Sequence, residues 1–188
     1  MAGPNDVRQL PYPPIWVNEY IKNELLKYDF TNIITLPSTP SAIDDIYKNT
    51  TGSYPDLAIQ YDRLFRFRRS PFYPMKCEQL LYYIYSTHAD KIYDAMIIIS
   101  QLLDRSDAAA EDLNRWCIAK QSSADPIRDT VVSIPYNVYF HDIKVYQLEE
   151  TRDLGELASI RGLTLNKLII EYDYHVKEPT GLPEDSYR

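Results

Sequence analysis

The sequence predicts an α+β fold: a mostly antiparallel sheet of about four strands, with two or three helices packed on one of its faces. Residues 57–61 and 80–85 are β-prone runs, and they precede a stretch over 92–103 in which apolar residues recur every three or four positions. Residues 163–176 alternate apolar and polar side chains. This alternation is typical of an antiparallel strand with one buried and one solvated face.

The clearest helix is the one over 92–103, because its apolar residues form a continuous stripe. The stripe consists of Ile92, Met96, Ile99 and Leu103, with Tyr93 and Ile97 beside it. Thr87, three positions before Asp90, is the expected N-cap of this helix. We expect the stripe to lie on the sheet.

The remaining elements follow from proline positions and from the same periodicities. In chain order they are an extended proline-rich arm over 1–14, a helix over 15–28, a short β-prone run over 32–36, a loop over 37–55, a proline-containing connection over 70–74, a helix over 107–120, a polar linker over 121–126, a possible strand over 127–134, a strand over 138–148, a polar connection over 149–162 and a flexible tail over 178–188. A loop as long as 37–55 is usually a binding loop.

Length and composition favour one soluble domain spanning residues 1–188, with 45% hydrophobic residues available for its core. The net charge of −7 and the pI near 5.0 oppose a general affinity for nucleic acid. Cys77 and Cys117 have no metal-ligand spacing, and the five glycines form no phosphate-binding loop. No apolar run approaches the roughly 18 residues needed to span a bilayer. We therefore expect no metal, no cofactor and no membrane contact.

Catalytic constellations are sparse, so we predict that the chain is not an enzyme. Its three histidines, His88, His141 and His175, fall in different predicted elements. Asp90 and Asp94 are four positions apart, which is more typical of a solvated helix face than of a carboxylate pair. A hydrolase-like site using His88 and Asp90 is the alternative that this pattern leaves open.

The most distinctive segment is the run RLFRFRR over 63–69, which is followed by SPFYP. Its candidate contact residues are Arg63, Arg66, Phe67, Arg68, Arg69, Phe72 and Tyr73. Arginine and aromatic residues are enriched in subunit interfaces, and this is our first interpretation. An edge strand protected by its charges is the second. Bases stacking on the aromatic rings, as in a nucleic-acid-binding module over 63–73, is the third.

The order of elements resembles that of the tail-completion proteins of contractile-tailed bacteriophages, the group of tail terminators and sheath stabilisers. The stretches that carry the resemblance are DLAIQYDRLFRFRRSPF over 56–72, EQLLYYIYSTHADKIYDAMIIISQLL over 78–103, FHDIKVYQLEE over 140–150 and LTLNKLIIEYDYHVKEP over 163–179. The proline-rich arm and the 37–55 loop depart from the family pattern.

The resemblance implies a structural virion protein without enzymatic activity. Such proteins form a ring, usually a hexamer, at the head-proximal end of the tail, where they end the tube and sheath and dock to the neck. The implied partners are further copies of the chain, the tail tube protein, the sheath protein and the head-side connector proteins, without specific nucleic acid binding. The implied location is the tail and neck region of the virion, after assembly in the host cytoplasm.

Overall fold

Three helices and five strands are present in the part of the chain that the computed structural model describes, namely residues 13–36, 55–69, 75–122, 138–153 and 163–176. The helices are α1 (Pro13–Leu25), α2 (Ala89–Leu103) and α3 (Asp107–Ser122). The strands are β1 (Ile33–Thr35), β2 (Leu57–Arg69), β3 (Lys76–Ser86), β4 (Val138–Asp153) and β5 (Thr164–Val176).

The strands form one mixed sheet in the order β1-β2-β3-β5-β4. The α+β class is therefore confirmed, but the prediction of a mostly antiparallel sheet of about four strands is wrong in its finer part, because β1 adds a fifth strand that runs parallel to β2 and makes the sheet mixed. The backbone amides of Asp56 and Leu57 both donate to the carbonyl of Asn32, which starts the two strands side by side. The long connection between them supplies the dozen or more residues that a parallel crossover needs.

All three helices share one hydrophobic core with one face of the sheet, which we call the helix face. Burial alternates along β3, and the predicted α2 stripe of Ile92, Met96, Ile99 and Leu103 is buried. The opposite face was predicted to be solvated, but part of it is buried. At one end it carries a second cluster, in which Leu36 and Leu163 pack with Ala58 and Tyr85.

Tyr93 and Ile97 do not join the core, although both were placed beside the stripe. Their side chains are 51% and 54% exposed. Each follows a buried stripe residue by one position, and one position rotates a side chain by about 100° around the helix axis. These two residues therefore give α2 an apolar patch that faces away from the sheet.

Several predicted boundaries move. Helix α1 begins at Pro13 rather than after the prolines, since proline is tolerated in a first turn, and it ends at Leu25 before Tyr28. Helix α3 continues into the predicted linker, and β4 continues into the predicted polar connection. The other helix and strand runs that fall on described residues are confirmed, with β2 longer than its predicted core.

The start of α2 corrects one prediction. His88, not Thr87, is the N-cap, and its side chain makes no capping bond. The buried hydroxyl of Ser86 accepts a hydrogen bond from the backbone amide of His88 at 3.0 Å and donates one to the carbonyl of Asp56 at 2.8 Å. Ser86, at the end of β3, thus fixes the residue from which α2 starts, but no side-chain cap replaces the one predicted for Thr87.

The edge strand β4 is covered at one point by α3. The buried side-chain amide of Asn114 donates to the carbonyl of Phe140 at 2.7 Å and accepts from the amide of Phe140 at 2.9 Å. The pairing of β4 with β5 also shifts register twice, next to Phe140 and after Leu148. Such irregularities discourage further strands from adding to a sheet edge.

The predicted 127–134 strand, the C-terminal tail, most of the 37–55 loop and the arm up to residue 12 lie outside the described residues. Among the helices that are described, none has the length and apolar character required to traverse a bilayer.

Candidate assembly interface

The arginine-rich run forms the far end of β2, where β2 pairs with the beginning of β3. Arg68 lies opposite Cys77 and Arg69 opposite Lys76, with a register shift between Leu64 and Arg68. We call residues 63–69 and 75–78 the basic hairpin end. The backbone brings Arg63, Arg66, Phe67, Arg68 and Arg69 together at this end, whereas Phe72 and Tyr73 lie outside the described residues.

The charge of the chain is strongly segregated. The basic hairpin end contains four arginines, one lysine and one glutamate, which is a net charge of +4. Because the whole chain carries −7, the remaining residues carry −11. A subunit with one concentrated basic end and an acidic remainder attracts a second copy most strongly when unlike surfaces meet.

A buried carboxylate fastens the basic hairpin end to the core. Glu78 is only 1% exposed and lies on the helix face. It accepts hydrogen bonds from Arg63 Nε at 3.1 Å, from the Tyr172 hydroxyl at 2.9 Å and from the Tyr174 hydroxyl at 2.7 Å, and it also bonds Arg63 Nη2. We call these four residues the Glu78 cluster. It links β2, β3 and β5 side by side.

Electrostatics within the Glu78 cluster follow from this burial. Burial alone would lower the pKa of Arg63, but its hydrogen bonds and charge interaction with Glu78 raise it. Burial, and secondly the charge of Glu78, raise the pKa of Tyr172 well above its ordinary value. The pKa of Tyr174 is raised by burial and by its hydrogen bond to Glu78. Both tyrosines therefore stay protonated as donors, and Arg63 stays charged.

Sequence reasoning missed Glu78, although a signal was available. Glu78 is the one acidic residue in the basic hairpin end. It falls in the series of alternate strand positions that continues with the buried residues Leu80, Tyr82 and Ile84. A carboxylate in a buried register position needs partners, since an unpaired buried charge is costly. The adjacent arginine run supplies one of them.

A second exposed feature is a groove between α2 and the turn that follows α1. It has a volume of about 310 Å³ and is lined by Tyr28, Asp29, Phe30, Lys91, Asp94, Ile97 and Ile98. We call it the α2 groove. Leu26 and Tyr93 are also large exposed apolar residues of the same two elements. Exposed large apolar residues beside charged ones are typical of interaction sites.

The ammonium group of Lys91, at the rim of the α2 groove, is bound within the subunit. It pairs with Asp56, whose carboxylate also accepts the Thr31 amide at 2.7 Å, the Thr31 hydroxyl at 3.0 Å and the Asn32 amide at 3.2 Å. Burial alone would raise the pKa of Asp56, but these bonds outweigh it and lower the pKa. The charged groups that the rim exposes to solvent are therefore the carboxylates of Asp29 and Asp94.

The structure does not bring the three histidines together. His141 Nε2 lies 2.6 Å from His175 Nδ1, but His88 is at the start of α2. Asp90 and Asp94 are both exposed, as expected for a solvated helix face. No group of three or more metal-ligating side chains occurs among the residues described.

Comparison with known proteins adds no relative. No protein-family model matches this chain, and no curated protein matches it.

Proposed function

We propose that this chain is a structural virion protein that forms a ring at the head-proximal end of a phage tail, ends the tube and sheath there, and docks to the neck. The observation that carries the proposal is the separation of a +4 hairpin end from a remainder of −11. A ring built by head-to-tail contacts needs two different, complementary surfaces on every copy. In our proposal the basic hairpin end and the acidic remainder of the chain supply this pair.

The basic hairpin end supplies one of these surfaces in our proposal. Arg66, Arg68 and Arg69, with Phe67, contact the next copy or the tube, while Arg63 holds the hairpin to the core through Glu78. A hairpin fastened in this way loses less conformational entropy on association than a loose one, which favours binding. The partners are further copies of the chain and the tube, sheath and connector proteins.

The test is the assembly state of purified protein, alone and mixed with tail tubes, measured by multi-angle light scattering and negative-stain imaging. We expect rings, and rings on tube ends. The double variant Arg66→Glu/Arg68→Glu is expected to stay monomeric with an unchanged unfolding midpoint. The matched control, Arg105→Glu/Arg115→Glu, reverses two exposed arginines of the helical layer and is expected to form rings.

Two results would overturn the proposal. One is a wild-type protein that remains monomeric and ignores tubes. The other is an Arg66→Glu/Arg68→Glu variant that caps tails and joins them to heads as well as wild type does. Such a result would show that the hairpin end does not contribute to the assembly contact.

A nucleic-acid-binding module over 63–73 is the second candidate, favoured by the alternation of arginine and phenylalanine in one strand. This function predicts that the logarithm of the binding constant for single strands falls linearly with the logarithm of the salt concentration, with a slope of about −0.7 per phosphate contacted. The charge of −11 elsewhere opposes it. A gel-shift titration in rising salt separates the two candidates, because tube capping does not require DNA.

A further inference from the structure

We propose that the α2 groove receives the basic hairpin end of a neighbouring copy, so that the ring is closed by a heterologous contact between these two surfaces. The inference rests on the proposed function and names the receiving half of the interface. Its occupant is therefore a second copy of this chain, presenting its residues 63–69 and 75–78.

The first argument is the character of the exposed side chains. Tyr28 is 56% exposed and Ile97 54%, on either side of the groove. Both are large apolar residues, and the sequence of the hairpin end contains Phe65 and Phe67 within a run of arginines. Aromatic residues and arginine are the types that anchor interface pockets, where aromatic burial supplies affinity and arginine supplies directed hydrogen bonds.

The second argument is charge. Asp29 and Asp94 are exposed at the rim, and Lys91, the one cation among the described residues that line the groove, is paired with Asp56 of the same chain. An acidic rim around an apolar floor is complementary to the arginines of the hairpin end. The same rim disfavours two alternative occupants. If two grooves met face to face, Asp94 of one copy would lie near Asp94 of the other and the two would repel each other. The phosphates of a nucleic acid would be repelled by the same carboxylates.

The third argument is distance within one copy. Asp56 directly precedes β2 and bonds the groove residue Lys91, so the groove lies near the beginning of β2. Arg66 follows Asp56 by ten positions, which at about 3.3 Å per strand residue is roughly 30 Å. The hairpin end of a copy therefore cannot reach its own groove. Contact between these surfaces requires a second copy, and repetition of such a contact closes a ring or extends a filament.

The experiment mixes two variants that are each defective in one surface. Asp94→Arg/Ile97→Ser alters the groove at two exposed positions, and Arg66→Glu/Arg68→Glu alters the hairpin end. We expect each variant alone to be monomeric, with its dissociation constant for self-association raised about 100-fold, as for loss of a 2–3 kcal/mol contact. Mixed together, they are expected to form a 1:1 heterodimer and nothing larger, since only one intact hairpin end and one intact groove remain.

The matched control for the groove is Glu111→Arg/Tyr146→Ser, which makes the same kinds of substitution at exposed positions of α3 and β4. It is expected to form rings. Sedimentation velocity gives the species, and a urea titration verifies folding. If Asp94→Arg/Ile97→Ser fails to fold, Asp29→Arg tests the same rim from the turn after α1.

The outcomes separate the inference from the proposed function. Full rings from a folded groove variant overturn the inference and leave the ring function standing. A mixture that yields full rings, or no heterodimer, overturns it as well. A wild-type protein that stays monomeric with and without tubes overturns both.

Discussion

Replacing the buried carboxylate Glu78 tests whether the basic hairpin end is fastened as described. Removing one partner of a buried ion pair costs about 3–5 kcal/mol when the remaining charge is buried, and because the Arg63 side chain is 30% exposed we take the low end of that range for this pair. In Glu78→Ala the hydroxyls of Tyr172 and Tyr174 also lose the acceptor that they bond at 2.9 and 2.7 Å. These contributions overlap because they share one carboxylate, so we expect a loss of about 4 kcal/mol in the free energy of unfolding.

Urea denaturation followed by far-ultraviolet circular dichroism measures this loss. With a urea dependence of about 2 kcal/mol per molar, the midpoint should fall by roughly 2 M. Tyr172→Phe alone should cost about 1.5–3 kcal/mol, the value of a hydrogen bond to a charged group, and much less when Glu78 is already alanine. The control is Glu171→Ala, which removes a half-buried carboxylate next to Gln79 on the same strand pair and should cost at most about 1 kcal/mol.

Two results would refute this reasoning. One is a Glu78→Ala variant whose free energy of unfolding falls by less than about 1 kcal/mol, because the removal of a fully buried acceptor of four hydrogen bonds should cost more than that. The other is a Tyr172→Phe substitution with the same cost in both backgrounds, which would show that its hydroxyl does not depend on Glu78.

Three further outcomes are expected. Asn114→Leu should destabilise the fold by about 2 kcal/mol in urea, because the amide and carbonyl of Phe140 lose their partner; an unchanged midpoint would contradict this. Although burial opposes it, hydrogen bonding lowers the pKa of Asp56 from 3.8, so its carboxylate stabilises the fold above that pH and the contribution is lost as the pH falls below it. Wild type should therefore lose more stability between pH 7 and 3 than Asp56→Asn, and equal losses would contradict this. A thiol reagent should modify half-buried Cys77 before fully buried Cys117 in native protein, as read by mass spectrometry; faster labelling of Cys117 would contradict its burial.

The elements were predictable where local periodicity determines them. The alternation over 168–176 correctly assigns Tyr172 and Tyr174 to one face, because successive strand residues must point to opposite sides. The stripe of α2 was predictable for the same kind of reason. The pairing of β1 was not, since three residues carry little pattern and their parallel alignment depends on bonds between Asn32 and residues more than twenty positions away.

The candidate site was only partly predictable. The arginine run identifies the hairpin end by composition alone. The partners of Glu78 are distant in sequence, because Arg63 lies 15 positions from it and Tyr172 lies 94 positions from it. Such pairing depends on strand order, which no local pattern encodes. The α2 groove has a weaker signal: Tyr93 and Ile97 make the apolar side of α2 broader than one packing contact can cover.

The amide of Asn114 has a consequence for the contact between copies that we propose. By occupying both backbone groups of Phe140, and with two register shifts in the same strand, it leaves β4 a poor template for a strand from another molecule. In our proposal, association uses preformed surfaces and is a bimolecular step between molecules that have already folded. Its rate should scale with concentration and its products should dissociate on dilution, unlike fibrils that grow by continuing a sheet.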